Sequence, residues 1–211
     1  SRERVFFVGL RKEIFGQTYF NFDLMKKKSL VSTSDALSDL PNLDSGEDHT
    51  KYSSLPKNKY QTYLRSGSKS VLNNEITNHT EKTIEIISKI PDGGNIKSID
   101  PKFYKIRNYN NAFKRMDSKK PSTTIDCGHR NYFHYSQNRV PTARESARLQ
   151  SFPDNYYFFG SKTSQYTQIG NAVPVLLANE LAKVIKSYLI RGYKFWEFFT
   201  EEYQSLKARR D

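Results

Sequence analysis

The run Val5-Phe6-Phe7-Val8-Gly9-Leu10 constrains this chain more than any other stretch. Its β-branched and aromatic residues, without polar alternation, predict a strand buried on both faces. Such a strand needs hydrogen-bonded neighbours at both edges, and the following hundred residues contain few segments able to supply them. Two expectations follow. Either the chain enters in the middle of a larger sheet, or this is an ordinary strand at a sheet edge. Ser1-Arg2-Glu3-Arg4 ahead of it carries neither a turn signal nor the apolar core of a secretory leader.

With 211 residues the chain is long enough for one substantial domain or two small ones. Its 14 Phe and 14 Tyr supply core material, so general disorder is not expected despite a mean hydropathy of −0.76. The formal charge of +12 favours a polyanionic partner, nucleic acid first and an acidic membrane surface second. A single cysteine, Cys127, excludes a disulfide framework and a Cys-based zinc site, and points to a reducing compartment. No apolar run reaches the length of a membrane span.

Residues 41–74, rich in Ser, Asn, Lys, Asp and Pro, read as loop. A helix is predicted over Glu81–Lys89, capped by Thr80, with Ile84, Ile87 and Ile90 on one side and Pro91-Asp92-Gly93-Gly94 as its stop. Residues 101–150 hold 11 Lys and Arg against 3 Asp and Glu, and aromatics interleave with the cations. That mixture suits a phosphate backbone and stacked bases, or equally a solvated loop surface with aromatic anchors. Thr142-x-x-Glu145 is a capping box opening a helix to about Gln150, with Ala147, Leu149 and Phe152 as its apolar contacts. Pro174 suits the first turn of a further helix, along which Leu177, Leu181, Val184, Ile185 and Tyr188 form a stripe. Gly192 is the expected stop, and Phe195–Leu206 a separate final helix.

Three places invite chemistry. Cys127 and His129 are two apart, a spacing that rarely brings sulfur and imidazole together, so an inert loop thiol is expected. The four histidines show no metal-ligand spacing, and no metal site is expected. Arg2 and Arg4 share a face of the first strand, where they form either a surface charge pair with Glu3 or paired donors to an anion. Asn171-Ala172-Val173-Pro174 enters a helix, where Asn171 is either a simple cap or part of a docking end for an anionic group.

The last two places belong to a longer ordered pattern. Arg2-Glu3-Arg4 with an apolar strand is followed by Thr142-x-Arg144-Glu145-x-x-Arg148-Leu149-Gln150-Ser151-Phe152-Pro153-Asp154. Then comes Gln168-Ile169-Gly170-Asn171-Ala172-Val173-Pro174. This order resembles the final three motif blocks, eight to ten, of the bacterial-type DNA (cytosine-5) methyltransferases. Asp35-Ala36-Leu37-Ser38-Asp39-Leu40-Pro41 and Lys120-Pro121-Ser122-Thr123-Thr124-Ile125 resemble weaker patterns between them.

The resemblance implies an α/β fold: the C-terminal piece of a Rossmann-like, S-adenosylmethionine-dependent catalytic domain plus a small, irregular, mostly β target-recognition domain. Residues 1–41 would end the catalytic sheet and exit it. Residues 42–135 would read double-stranded DNA, through side chains that cannot be named from sequence, and 136–211 would return to the catalytic domain. Arg4 would contact a flipped cytosine and Arg2 the DNA backbone. Asn171, Ala172 and Val173 would line the amino-acid end of S-adenosylmethionine, and Arg144 and Glu145 would brace the recognition domain. A bacterial, cytoplasmic, nucleoid-associated protein of a restriction-modification system is the implied setting.

The same resemblance exposes departures. The family's Gly-rich cofactor loop, its Pro-Cys nucleophile dipeptide and its Glu-Asn-Val block do not occur in these residues, since Cys127 follows Asp126. Ser1 stands where the family has Gln, Val140-Pro141-Thr142 where Leu-Thr is usual, and Pro174-Val175 in place of a double proline. The attacking thiolate is therefore expected from an N-terminal methyltransferase half, either a separate subunit or preceding sequence of the same chain. Alone, these residues are expected to be inactive and poorly soluble. A non-catalytic DNA-binding module and a tRNA cytosine-5 methyltransferase fragment are the alternatives.

Overall fold

The computed structural model describes residues 5–103, 113–128 and 132–208, with backbone alone from 193 onward. Five of its described helices start where an oxygen-bearing side chain meets an otherwise unpaired helix N–H. After a single turn, α1 (Lys12–Phe15), closed by Gly16 at φ 58°, α2 (Thr33–Leu37) begins at Ser32 in a capping box with Asp35. Asn58 caps α3 (Lys59–Leu64), and Thr80 caps α4 (Glu81–Lys89) as the sequence predicts. Two-residue strands β1 (Lys114–Arg115) and β2 (Tyr132–Phe133) pair in parallel, Lys114 opposite Tyr132. Thr142 opens α5 (Ala143–Leu149), Ser161 opens α6 (Lys162–Asn171), and α7 runs over Val175–Ala208.

Residues 29–175 pack as one unit and 5–28 with 176–208 as another. The first unit holds three apolar clusters. Ala36, Leu37, Leu40 and Val71 form one around α2. Ile87, Ile90 and Ile96 meet Phe113, Phe133 and Val140 in the second. Ala143, Ala147, Tyr166 and Ile169 join α5 to α6 in the third, with Met116, Ile125, Tyr132 and Phe158. In the second unit Phe20 stacks on Tyr188 at 5.2 Å, while the Tyr188 hydroxyl accepts from Asn21 N and donates to Tyr19 O.

Four expectations are corrected. Val5–Leu10 is not an edge strand of a sheet formed by the described residues: it has no partner strand among them, and Val5 and Phe7 stand 77% and 92% exposed. Gly192 does not stop a helix, because α7 continues through it to Ala208 and includes the expected 195–206 segment. A Cβ at Gly192 would lie 2.7 Å from the Phe15 ring. Close packing thus outweighs the roughly 1 kcal/mol helix cost of glycine. Within the stripe, Val184 and Tyr188 are buried, whereas Leu177 is exposed. Finally, the described part of 42–135 is irregular but not mostly β, since it carries α3, α4, short 3-10 turns and only β1 and β2. Its loops lack period-two patterning, and carbonyls such as those of His49, Ser54 and Leu72 accept from side chains instead of a ladder. No helix among the described residues is long and apolar enough to cross a membrane.

Candidate functional site

The Thr142 hydroxyl accepts from Glu145 N–H at 3.1 Å and donates to Asn74 Oδ1 at 2.7 Å. The Glu145 carboxylate reaches back to Thr142 N–H at 2.7 Å. This reciprocal cap fixes α5 so that Arg144, Glu145 and Arg148 are all fully buried. Buried charge is costly unless each charge is paired and hydrogen-bonded, and here each one is. Arg148 grips Asp154 through Nε at 3.0 Å and Nη2 at 2.6 Å, and its other arm bonds Asp39 and the Ala36 carbonyl. Glu145 takes a forked pair from Arg139 at 2.8 and 2.6 Å. Arg144 donates to the carbonyls of Leu72, Pro153 and Tyr156.

Titration follows from this wiring. Burial favours the neutral carboxyl of Glu145, but the Arg139 charge, His134 and hydrogen bonds from Arg139 and Thr142 overcome it and hold its pKa at about 2. Burial likewise opposes the Arg148 charge, yet Asp154 and Asp39 push its pKa up. His134, with its Nε2 3.7 Å from Glu145 Oε1, is driven by burial down to about 4 and is neutral near pH 7. Its Nδ1 accepts from the N–H of Ser136 and Gln137. Arg115 on β1 ties the end of α4 to the following loop, donating to the carbonyls of Ile87, Ile90, His134 and Gln137 and to Asn138 Oδ1.

Gln150, the C-cap of α5, links this cluster to the second motif. Its Nε2 donates to Ile169 O at 3.2 Å, and its carbonyl accepts from Val175 N–H at 3.0 Å. Asn171 is the last residue of α6 and does not cap the helix after it, which corrects the sequence expectation. Its amide oxygen lies 3.2 Å from Cys127 Sγ. Ala172 and Val173, half-buried, continue toward Pro174 and the start of α7, with Ala172 in extended backbone at φ −66° and ψ 151°. The Val175 N–H at that start is already occupied by Gln150. Arg2, Arg4 and His129 lie outside the described residues. Among the described residues no cluster of His, Cys, Asp or Glu could hold a metal ion.

Sequence reasoning placed Arg144 and Glu145 together on α5 and Asn171, Ala172 and Val173 at one helix junction. It missed Arg148, Asp39, Asp154, Arg139 and Gln150 as members of the network. Asp39, Arg148, Gln150 and Asp154 all stand inside the motifs, but nothing in those motifs pairs residues 109 positions apart.

The sequence profile of C-5 cytosine-specific DNA methylases matches residues 1–187. The chain belongs to that family. This methylase chain is 36% identical over 213 residues to the Type II methyltransferase M.DdeI of Desulfomicrobium norvegicum, a match covering 89% of this chain and 51% of M.DdeI. It is 32% identical over 132 residues to the Type II methyltransferase M.AquIB of a Picosynechococcus species, covering 57% of this chain but 91% of M.AquIB. A crystal structure described as a prophage-encoded DNA modification methyltransferase from E. coli superposes with a TM-score of 0.61 at 21% identity. That superposition covers 86% of this chain and 51% of the other. The methyltransferase fold is therefore shared, and the chain spans about half the length of M.DdeI and of this structure.

Proposed function

We propose that this methylase chain supplies the DNA-recognition and cofactor-completing part of a DNA (cytosine-5) methyltransferase acting on double-stranded DNA. The observation that carries the reading is the family match across residues 1–187, which spans the three ordered motif blocks. In this reading S-adenosylmethionine supplies the methyl group, and the target cytosine is extruded from the duplex because its ring carbon is unreachable in a stack. Arg4 contacts that cytosine and Arg2 the DNA backbone. Residues 42–135 read sequence, braced by Arg144, which donates to Leu72 O, and by Glu145, which lies 3.7 Å from His134 Nε2.

The junction of α6 and α7 fits the amino-acid end of S-adenosylmethionine. Asn171 is exposed, its amide oxygen faces Cys127 Sγ and its amide nitrogen is a donor, and the half-buried Ala172 and Val173 beside it are small. Such a set matches the carboxylate of that end. The nucleophilic thiolate comes from sequence outside these 211 residues, because the one cysteine sits in Asp126-Cys127-Gly128 with its sulfur on α6.

Tritiated methyl transfer to DNA tests this. These residues alone should transfer nothing, and combining them with a polypeptide bearing the earlier motif blocks should give transfer that requires both. Transfer by these residues alone, abolished by Cys127→Ser, would overturn the proposal.

A further inference from the structure

We infer that Cys127 is a positioning residue: its thiol orients the Asn171 amide toward the methyl donor and ties the recognition segment to the cofactor seat. The inference rests on the reading above that Asn171 meets S-adenosylmethionine. Three contacts carry it. Ile125 is buried in the cluster that holds Tyr166 and Ile169, so the segment 125–128 is seated on α6. The Asp126–Cys127 peptide then crosses directly over Gly170. A Cβ on Gly170 would come within 2.5 Å of Asp126 C and 2.6 Å of Cys127 N, distances that only a missing side chain permits. One residue further, Cys127 Sγ lies 3.2 Å from Asn171 Oδ1 and 3.8 Å from Thr167 O, above the last turn of α6.

The chemistry gives this contact a direction. The thiol is both a weak donor and a weak acceptor, but the atom it faces is the amide oxygen, which only accepts, so the S–H donates to Oδ1. With Oδ1 turned to the sulfur, Nδ2 diverges from it. A primary amide nitrogen only donates, which is the polarity that a carboxylate requires. Without the thiol, the amide is free to flip and present its oxygen to the same carboxylate, which repels it. Cys127 is half-buried and stands in the region proposed to read DNA, whereas Asn171 stands in the last motif. A displacement of the 125–128 loop is thereby transmitted through one peptide plane and one sulfur to the residue beside the methyl donor.

The test uses the complete methyltransferase containing this chain. It measures the equilibrium Kd for S-adenosylhomocysteine by calorimetry and kcat for methyl transfer at saturating S-adenosylmethionine. Asn171→Ala should raise Kd. Cys127→Ala should raise Kd about two- to tenfold, the range of one modest hydrogen bond, and leave kcat within twofold. Cys127→Ser, which keeps a donor at that position, should restore the wild-type Kd. Gly170→Ala, which forces the peptide off α6, should raise Kd as well. In the Asn171→Ala background, Cys127→Ala should add nothing, since its effect passes through that amide. A wild-type Kd in Cys127→Ala, a loss confined to kcat, or full additivity of the two substitutions overturns the positioning role while leaving the cofactor reading of Asn171 intact. A wild-type Kd in Asn171→Ala alone removes the cofactor reading, and the inference with it.

Discussion

The surroundings of α5 and the segment 5–24 treat charge and apolar surface in opposite ways. On α5 itself, three ionised side chains are fully buried, and every one finds partners within the same unit. Between residues 5 and 24, by contrast, Val5, Phe7, Tyr19, Phe22 and Leu24 face solvent. Polar groups buried with full satisfaction mark a region whose conformation is specified by its own residues. Large apolar groups left in water mark one whose favourable contacts lie elsewhere.

The largest expected effect is at the self-sufficient end of this comparison. Arg148→Ala takes the shared guanidinium from buried Asp39 and Asp154, leaving Asp39 only Arg65 at 3.2 Å and Asp154 only Arg144 at 3.9 Å and the Tyr52 hydroxyl, and about 3–5 kcal/mol of stability should be lost. Urea unfolding measures it, and a loss below about 1 kcal/mol would erase the contrast. Acid acts on the same cluster. The folded pKa of His134 is depressed to about 4 from 6.5, so the unfolded chain binds the proton first and stability falls as pH drops from 6.5 to 4. The expected loss is about 3 kcal/mol, and His134→Gln should flatten that window in thermal melts. Glu145, depressed to about 2 from 4.5, adds its own loss as pH falls below 4.5.

A smaller test sits in the other unit. Gly192→Ala improves helix propensity, yet its Cβ meets Phe15 and Ile14, so a net loss of about 1–3 kcal/mol is expected. A gain in melting temperature would mean that Phe15 is not held against α7. Thr142→Ala should cost about 1 kcal/mol, read by denaturation, because it removes one cap bond and the donor to Asn74 Oδ1. The least effect belongs to Phe7→Ser. With the side chain 92% exposed, stability of these residues alone should stay within about 0.5 kcal/mol, whereas co-purification with a polypeptide bearing the earlier motif blocks should weaken.

How much was legible follows the range of the interactions. Thr80 and Thr142 announced their helices because a cap and its partner are three residues apart. The helix α6 was missed because Lys162-Thr163-Ser164-Gln165 is polar and only Tyr166, Ile169 and Gly170 are buried on it. Gly192 misled because a glycine that ends a helix and one that admits a neighbouring ring look alike in sequence. The motif blocks made Arg144, Glu145 and Asn171 visible as important, but not the reason. Burial of Arg148 depends on Asp39, and the setting of Asn171 on Cys127, pairs that only the fold brings together.

The bonds of Arg115 and Arg144 go overwhelmingly to main-chain oxygens of the segments they hold: Ile87, Ile90, His134 and Gln137 for one, Leu72, Pro153 and Tyr156 for the other. A carbonyl is the same whatever residue carries it. Mutations can therefore change the outward side chains of these segments while the clasps beneath stay fastened, so the surface can be rewritten without a new scaffold.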